Sequence, residues 1–566
     1  MLSGTLNKLF RIVIIFAIFC CCVLLFPQVQ GFIIGIAEGF LGRDLNDPVW
    51  MKIMLNCALV AIFCFILIFL TTFNNIQFFL EKYKKIGENI FVIVLIMVVI
   101  MSIIVRLIMY VKCRSLWLDE AFLAESIVTR NWSNLLMPPL ANSQSAPVLY
   151  VISVKLFGFI FGYSEFSLRL FSLLSFVGLL VCETIFLKRV FDCSNLQISS
   201  ILAMTALLPT YIRYSNEFKP YMSDAFFIIL TFLLYFYYTQ NKLKLPLLTA
   251  LYIVIIGFSS PSIFFIGGIL SLIFFDAIFN KKKITNIFIS GVIFLLIFTL
   301  YYHWWMSPVT EAMKTYWNNY IIQLKILTQI KSILSNSLYI MLFVPISVFG
   351  IISLCKSKNK IAFSVILSLI FTFLASAIDY WPKTTRLWLF LPSIVLIFTP
   401  VGFNYLHNKI QHIKIIKTLE FIIYTIIISY FSVNCLGYTN AKMYHLKQEI
   451  NPLIDYIQKN INDDEKLYVY PYAKYAFEYK IGYNVKKIGN TNNNNIIFGI
   501  NTTEWNEDIL GNELHSILEY KKVFIIFQHH YTGIDKGLEV LRNYGTLTEV
   551  MNVYDTPLYY FERGSQ

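Results

Sequence analysis

The chain alternates between long apolar runs and short polar segments through most of its length. A helix that crosses the hydrocarbon core of a bilayer needs about 20 mostly apolar residues, so these runs predict about 13 transmembrane helices. The predicted spans are 10–28, 51–73, 88–111, 166–188, 196–211, 222–241, 245–258, 260–279, 284–304, 336–355, 361–379, 386–405 and 414–436. The fifth and seventh spans are short, which predicts that they are tilted or broken.

Basic residues set the predicted direction of these helices, because cytoplasmic loops of membrane proteins carry an excess of lysine and arginine. With the N-terminus placed on the cytoplasmic side, every predicted inner loop is basic. These loops hold Lys82, Lys84 and Lys85; Lys188 and Arg189; Lys242 and Lys244; Lys281, Lys282 and Lys283; Lys356, Lys358 and Lys360; and Lys409, Lys414 and Lys417. Three longer segments, 112–165, 305–335 and 437–566, are then predicted to lie outside.

The last of these segments has the pattern of a folded soluble domain. A helical periodicity runs from 451 to 461, and the runs 467–470, 523–527 and 558–561 have the composition of strands. The predicted fold class is therefore mostly α: a polytopic membrane protein with about 13 transmembrane helices and a small C-terminal α/β soluble domain on the outer side.

Composition agrees with lipid as the solvent. Hydrophobic residues make up 57% of the 566 residues and charged residues only 14%, whereas a soluble domain carries about 25% charge. Lysines in the inner loops account for the net charge of +13, so it does not indicate nucleic-acid binding. The ten cysteines have neither zinc-site nor disulfide spacing. The first apolar run has no clear cleavage site after it, and we interpret it as a retained helix rather than a signal peptide.

Two adjacent carboxylates, Asp119 and Glu120, follow Trp117 just beyond the third predicted span. A carboxylate placed there has the chemistry of a general base, which takes the proton of a hydroxyl group as its oxygen attacks a sugar carbon. Partial burial beside Trp117 would raise its proton affinity. The structural alternative makes Asp119 the N-cap of a helix, with Glu120 near the positive end of the helix dipole. The local pattern does not decide between the two.

Cationic and aromatic residues recur at two further outer turns. Arg213, Lys219 and Tyr221 lie in the first turn, and Arg386 opens the twelfth predicted span. Such cations bind phosphate groups, but basic and aromatic residues also anchor helices at the lipid–water boundary. The span interiors hold few ionisable residues, whereas ion-coupled transporters place such residues near the midplane. This distribution argues against a transporter.

The motifs of the outer segments resemble those of a known enzyme group. The resemblance is carried by Leu116, Asp119 and Glu120, then by 146–150 (Ala-Pro-Val-Leu-Tyr), 161–165 (Phe-Gly-Tyr-Ser-Glu) and 168–170 (Leu-Arg-Leu). This order is similar to the first outer loop of type C membrane glycosyltransferases, especially the protein O-mannosyltransferase and lipid A aminoarabinose transferase type. The turn 214–221 and Arg386 resemble the second and third signatures of the group.

The resemblance implies a polyprenyl-phosphate-sugar-dependent glycosyltransferase of the hexosyl- or pentosyltransferase class, working by inverting displacement. Asp119 would be the catalytic base, with Glu120 beside it. Lys219 and Arg386 would neutralise the donor phosphate as it leaves. Tyr221 would help to shape that pocket, and Arg213 is an alternative to Lys219. The partners implied are the lipid-linked sugar donor and membrane lipid, and no nucleic acid.

Three regions are predicted. Residues 1–87 hold two additional N-terminal helices, 88–436 form the catalytic transmembrane domain with its outer loop 112–165, and 437–566 form the extracytoplasmic α/β domain. Because Asp119 and Glu120 are directly adjacent, no Asp-x-Asp metal motif occurs there. No cofactor or metal site is therefore assigned, and dependence on a divalent metal stays open.

The resemblance implies a bacterial inner membrane with a periplasmic C-terminal domain, while the sugar and the acceptor (protein, lipid or glycan) stay open. Two other functions share the multi-span body. One is a transporter or flippase of a lipid-linked glycan, for which Asp119→Asn would be tolerated. The other is a glycan polymerase or ligase that uses a diphosphate-linked donor.

Overall fold

A computed structural model describes most of the chain after residue 76. The described residues are 77–280, 285–311, 338–378, 380–382, 384–409, 413–437, 448–483, 487–488, 491–492, 495–500, 507–528, 534–554 and 556–564. The predicted spans 10–28 and 51–73 lie outside them. Helices dominate the described part, and a small sheet follows near its C-terminal end.

The apolar runs fold as helices because a helix satisfies its own backbone hydrogen bonds, which lipid cannot do. Before residue 438 the helices are α1 (Gln77–Val111), α2 (Leu118–Thr129), α3 (Trp132–Leu135), α4 (Val148–Phe161), α5 (Glu165–Arg189), α6 (Asn195–Leu207), α7 (Pro209–Tyr214), α8 (Tyr221–Thr239), α9 (Leu245–Phe258), α10 (Ser262–Phe279), α11 (Thr285–Tyr301), α12 (Leu338–Lys356), α13 (Lys360–Ala377), α14 (Leu391–Lys409) and α15 (Ile413–Gly437).

Within the described residues, seven helical segments are long and apolar enough to cross a membrane. They are Glu88–Val111, Glu165–Arg189, Tyr221–Thr239, Ser262–Phe279, Thr285–Glu311, Lys360–Ala377 and Arg386–Lys409. Shorter apolar helices occur at Val148–Phe161, Asn195–Leu207, Leu245–Phe258, Phe343–Lys356 and Ile422–Ser432. The described part of the chain is thus that of a multi-span integral membrane protein, and the total of about 13 spans stays a prediction.

Two predicted spans show where a helix breaks or continues. The short fifth span, 196–211, was expected to be tilted or broken, and it is broken because α6 ends at Leu207 and Pro209 begins the separate helix α7. A proline has no backbone N–H to continue a helix, but it fits the first turn of a new one. The span expected at 284–304 is longer, since α11 passes through a π turn at Tyr302–Met306 and stays helical to residue 311.

The predicted inner and outer ends of the helices gather at separate places. An ion pair of 2.9 Å joins Lys360 to Asp276, and both lie at ends predicted to be inner. The segments predicted to be outer meet elsewhere: Arg386, before α14, contacts Asp119 of α2, and Arg169 of α5 donates to the carbonyl of Arg114. This segregation agrees with the predicted topology, whereas the side of the membrane that each end faces stays a prediction.

The C-terminal part contains a mixed α/β unit. Its helices are α16 (Asn451–Asn460), α17 (Pro471–Ile481), α18 (Glu507–Ile517) and α19 (Ile534–Arg542). Its strands are β1 (Lys466–Val469), β2 (Lys487–Ile488), β3 (Thr491–Asn492), β4 (Ile496–Phe498), β5 (Lys522–Ile526), β6 (Gly545–Asn552) and β7 (Pro557–Arg563). The helix and the three strands expected from the sequence are found as α16, β1, β5 and β7.

Five strands form one sheet in the order β4-β1-β5-β7-β6, and β2 pairs with β3 separately. The strands β4, β1 and β5 are parallel, with Leu467 opposite Ile496 on one side and Phe524 on the other. The strands β7 and β6 continue the sheet in antiparallel pairing. The carboxyl ends of the parallel strands therefore share one edge, which includes Gln528 just beyond β5.

One hydrophobic core joins this unit to the outer loop of the membrane part. Buried residues of that core include Leu116 and Ile127 from the outer loop, Phe218 from the turn before α8, and Leu467 and Ile525 from the sheet. A separate core lies among the membrane helices. Because the outer loop and the C-terminal unit share a core, the start of α2 has a defined position relative to both.

Candidate active site

The two adjacent carboxylates lie in the first turn of α2. Trp117 is the N-cap residue, so the N-cap alternative for Asp119 is wrong. The Glu120 carboxylate accepts from the backbone N–H of Trp117 at 3.3 Å, a return contact typical of a helix start. Since successive residues of a helix are rotated by about 100°, the two carboxylates point to different surroundings.

Glu120 is completely buried among positive and N–H groups. Arg169 binds both carboxylate oxygens, through Nη2 at 2.8 Å and Nε at 3.1 Å. Arg114 Nη1 lies 3.1 Å from Oε2, and the backbone N–H of Phe218 donates to Oε1 at 2.6 Å. Burial alone would raise the pKa of Glu120, but the two guanidinium groups and the hydrogen bonds outweigh it and hold the pKa at about 2. Glu120 is therefore a permanent anion.

Asp119 lies in a more open environment. Its Oδ2 is 2.8 Å from Nη1 of Arg386, and the side chains remain 23% and 25% exposed. Arg386 comes from a 3₁₀ turn, Thr385–Trp388, that precedes α14. Its guanidinium carbon lies 5.8 Å from the ring centroid of Tyr221, which packs edge-on against Tyr214. The carboxylate and the guanidinium can thus be reached by a ligand.

Lys219 supplies a second cation beside this pair. It lies in the turn between α7 and α8, is only 3% exposed, and donates to Oε1 of Gln144 at 2.6 Å. Burial lowers the pKa of Lys219 to about 8, although the nearby Asp119 carboxylate favours the charged form. Lys219 is therefore a cation at neutral pH and becomes neutral above about pH 8.

Arg213 differs from Lys219 because a carboxylate of its own turn engages it. Its Nε donates to Glu217 at 2.7 Å, and its guanidinium carbon lies 5.3 Å from the ring centroid of Tyr214. Burial lowers the pKa of Arg213, but Glu217 and Tyr214 outweigh it and raise the pKa above its ordinary value. The positive charge of Arg213 is thus largely compensated within the turn.

The structure brings the sequence-predicted residues together at one place. Asp119, Lys219, Tyr221 and Arg386 form a single group, which we call the Asp119 pocket, although more than 260 residues separate the first from the last. Asp119 is part-buried there, with 23% of its side chain exposed.

Sequence reasoning missed several residues that shape this site. They are Arg114 and Arg169 at Glu120, Gln144 at Lys219, and Gln448 and Glu449 from the C-terminal part. Arg169 belongs to the outer-loop motif 168–170, so its motif membership was a usable signal, and Gln144 lies two residues before the motif 146–150. Nothing local distinguishes Gln448 or Glu449, because their partners lie more than 300 residues away in the chain.

The described residues contain no group of three or more His, Cys, Asp and Glu side chains placed to hold a metal ion. The cationic groups of the Asp119 pocket are instead suited to an anion. Arg386 presents a planar fork of N–H donors and Lys219 a compact ammonium, and both are groups that bind phosphate.

No protein-family model matches the sequence, and no curated protein matches it. Among solved structures, the chain is similar to ArnT from Cupriavidus metallidurans. The apo form is 10% identical, with 82% of this chain and 97% of that chain covered and a TM-score of 0.48. The form bound to undecaprenyl phosphate is 10% identical, with 83% and 97% covered and a TM-score of 0.49.

Proposed function

We propose that the protein is a membrane glycosyltransferase that takes a sugar from a polyprenyl-phosphate carrier and uses Asp119 as general base. The observation that carries the proposal is the Asp119 pocket, in which a part-exposed carboxylate lies beside the cations Arg386 and Lys219. A base next to two phosphate-binding groups matches the transfer of a group away from a phosphate. The membrane helices next to the pocket suit a lipid-linked donor.

In the proposed step, an acceptor hydroxyl oxygen attacks the anomeric carbon of the sugar. The bond from that carbon to the phosphate oxygen breaks, and the configuration at the carbon is inverted. Asp119 receives the hydroxyl proton, and the phosphate leaves with the electron pair. Arg386 and Lys219 stabilise the negative charge that develops on the phosphate.

The Arg386–Asp119 pair organises the site for this step. The pair uses Nη1 of Arg386, while a guanidinium carries five N–H donors in a planar fork. A bound phosphate would share the guanidinium with Asp119, so that the base and the leaving group lie on neighbouring sides of one cation. With the donor bound in this way, the base would lie next to the bond that breaks.

Glu120 has a supporting role in this proposal. Its buried carboxylate binds Arg114, Arg169 and the N–H of Phe218, one residue before Lys219. Glu120 thus links the first turn of α2 to the turn that carries the second cation. It fixes the position of the base relative to the phosphate-binding lysine, and it does not itself touch the donor.

The test uses wild-type protein and the Asp119→Asn variant, both purified in detergent. Each is mixed with a panel of radiolabelled polyprenyl-phosphate sugars and membrane extract, and the label that leaves the lipid fraction is counted. The matched control is Glu125→Gln, which changes another carboxylate of the same helix whose partner is Asn142. We expect transfer by the wild type and the control, and its loss in Asp119→Asn.

Other outcomes identify the alternatives. Equal transfer by Asp119→Asn and wild type would remove Asp119 from the role of base. Transfer only from diphosphate-linked oligosaccharide donors would favour a polymerase or ligase. A failure of transfer from every donor, together with movement of labelled lipid between the leaflets of vesicles containing the protein, would favour a transporter.

A further inference from the structure

Gln448, where the described C-terminal part begins, has an unusual backbone. Its φ of 61° lies in the left-handed region, which residues with a Cβ rarely adopt unless their surroundings hold them there. The surroundings do so on both sides of the residue. Its N–H donates to the carbonyl of Tyr554 at 3.3 Å, and its carbonyl accepts from Nε2 of Gln528 at 2.8 Å.

The Gln448 side chain reaches the start of α2. Its Oε1 accepts from the backbone N–H of Leu118 at 2.9 Å. Leu118 is the first helical residue, and the N-cap residue Trp117 makes no side-chain capping bond. The first N–H groups of a helix need acceptors from outside the helix. Here a residue of the C-terminal part supplies one of them, directly before Asp119.

A second contact holds the preceding residues. Glu449 accepts from the N–H of Ser115 at 2.9 Å and from its hydroxyl at 2.6 Å, while the N–H of Asn451 donates to the same hydroxyl oxygen at 2.9 Å. On the membrane side, Arg169 donates to the carbonyls of Arg114 and Ser115. The segment 114–118 is therefore held from both sides, and the C-terminal part supplies the acceptor at its helical end, Leu118.

We propose that Gln448 is a positioning residue for Asp119, through which the C-terminal unit sets the direction of the first turn of α2. The inference rests on the proposed function and assigns the C-terminal unit a part in catalysis. Gln448 does not touch the donor. It acts by fixing the helix start that carries the base, and the hydrogen bonds with Tyr554 and Gln528, which lie just beyond strand ends, hold Gln448 in its left-handed conformation.

Two variants separate this role from a purely structural one. Gln448→Met keeps the length of the side chain and loses the oxygen acceptor. Gln448→Gly also loses the acceptor but relieves the left-handed conformation, which favours glycine. If Gln448 only supported the fold, any loss of activity would follow the loss of stability in each variant, and the relief of the left-handed conformation by glycine would restore part of both. The matched control is Lys358→Gly, since Lys358 has a φ of 55° in a loop predicted to be inner and far from the site.

Three quantities are measured on full-length protein in detergent: kcat and KM for the lipid-linked donor, the midpoint of thermal unfolding, and hydrogen exchange of the peptide that contains Leu118. We expect both Gln448 variants to lose about ten- to hundredfold in kcat, because a small misplacement of the base slows the reaction strongly. The donor KM should change little, since Arg386 and Lys219 are untouched. The glycine variant should unfold at a higher temperature than the methionine variant, because only glycine relieves the left-handed conformation. The Leu118 amide should exchange faster in both variants.

Wild-type kcat in either variant, or a fall in kcat that only follows a fall in the unfolding midpoint, would overturn the inference. If the wild type transfers no sugar, the proposed function fails instead. The exchange of the Leu118 amide then still shows whether Gln448 caps α2, so the two failures are distinguishable. Lys358→Gly should keep wild-type values in all three measurements.

Discussion

Asp119 and Glu120 are consecutive carboxylates that both pair with arginine, yet they differ in burial and in the number of their partners. Glu120 is fully buried between two guanidinium groups and accepts a backbone hydrogen bond. Asp119 is part-exposed and is paired with Arg386, which comes from a distant segment. Burial and the number of partners, rather than residue type, therefore separate a carboxylate that organises a site from one that can take up a proton.

The Glu120 cluster and the Asp119 pocket also differ in what can reach them. A buried and fully engaged anion has no room for substrate and contributes to stability through its partners. A part-exposed carboxylate can exchange partners when a ligand binds. Changes in the Asp119 pocket should therefore reduce activity, and changes in the Glu120 cluster should reduce stability.

The largest effect on activity is expected from Asp119→Asn. The amide keeps the shape of the side chain but cannot accept the proton, so the rate of transfer at saturating donor should fall by about 10²- to 10⁴-fold. Since the pair with Arg386 is part-exposed, we expect little change in the midpoint of thermal unfolding. A large loss of stability with full specific activity of the folded fraction would reverse the roles that we assign to the two carboxylates.

The variant Glu120→Gln tests the role of the buried carboxylate. Removing the anion leaves two buried guanidinium groups without their counter-charge, which should cost about 3–5 kcal/mol of stability, measured by unfolding in detergent.

The stability that Glu120 contributes should also depend on pH. Because the pKa of Glu120 is held at about 2, below its ordinary 4.5, its stabilisation is complete above about pH 4.5 and is lost as the pH falls toward 2. An unchanged midpoint of unfolding, in the Glu120→Gln variant or in the wild type at low pH, would contradict the stabilising role of the Glu120 cluster.

Arg386→Lys keeps the charge of the Asp119 pocket and removes the planar fork of donors. We expect the KM for the donor to rise about tenfold, because one or more charged hydrogen bonds to the phosphate are lost. The control is Arg213→Lys, whose effect on KM should be smaller since Glu217 already engages Arg213. If the two variants exchange these effects, Arg213 rather than Arg386 holds the phosphate.

The smallest expected effect is an alkaline limit to activity. Lys219 loses its proton above about pH 8, so kcat/KM for the donor should decline above that pH as the second cation is lost. Lys219→Arg keeps the charge at all accessible pH values and should remove this limb of the profile. Persistence of the same limb in the arginine variant would show that another group titrates.

Much of this site could be anticipated from sequence. The order of the outer motifs pointed to Asp119, and the charge of the outer turns pointed to Lys219 and Arg386. The separate roles of Asp119 and Glu120 could not be anticipated, since the local pattern of two adjacent carboxylates is the same for a base and for a buried anion. Arg169 was visible within a motif, but its pairing with Glu120 needs α5 to pack beside α2.

In the C-terminal unit, too, the individual elements could be predicted from the sequence, and their mutual contacts could not. The helix and the three strands that we expected are present, because alternating and helical periodicities report which face of an element is buried. The order of the strands and the contact of Gln448 with Leu118 depend on pairings between distant segments. A left-handed glutamine has no sequence signal, because its conformation is imposed by hydrogen bonds from Tyr554 and Gln528.

Apolar runs of spanning length predict helices with lipid as their solvent, because the backbone of such a run has no other way to satisfy its hydrogen bonds. The sequence also shows which polar residues stand at the ends of those runs. Which of these ends meet, and so which carboxylate is buried and which cations stand beside the other, follows from the tertiary structure. Burial and electrostatic environment arise from contacts across hundreds of residues, which no local pattern records.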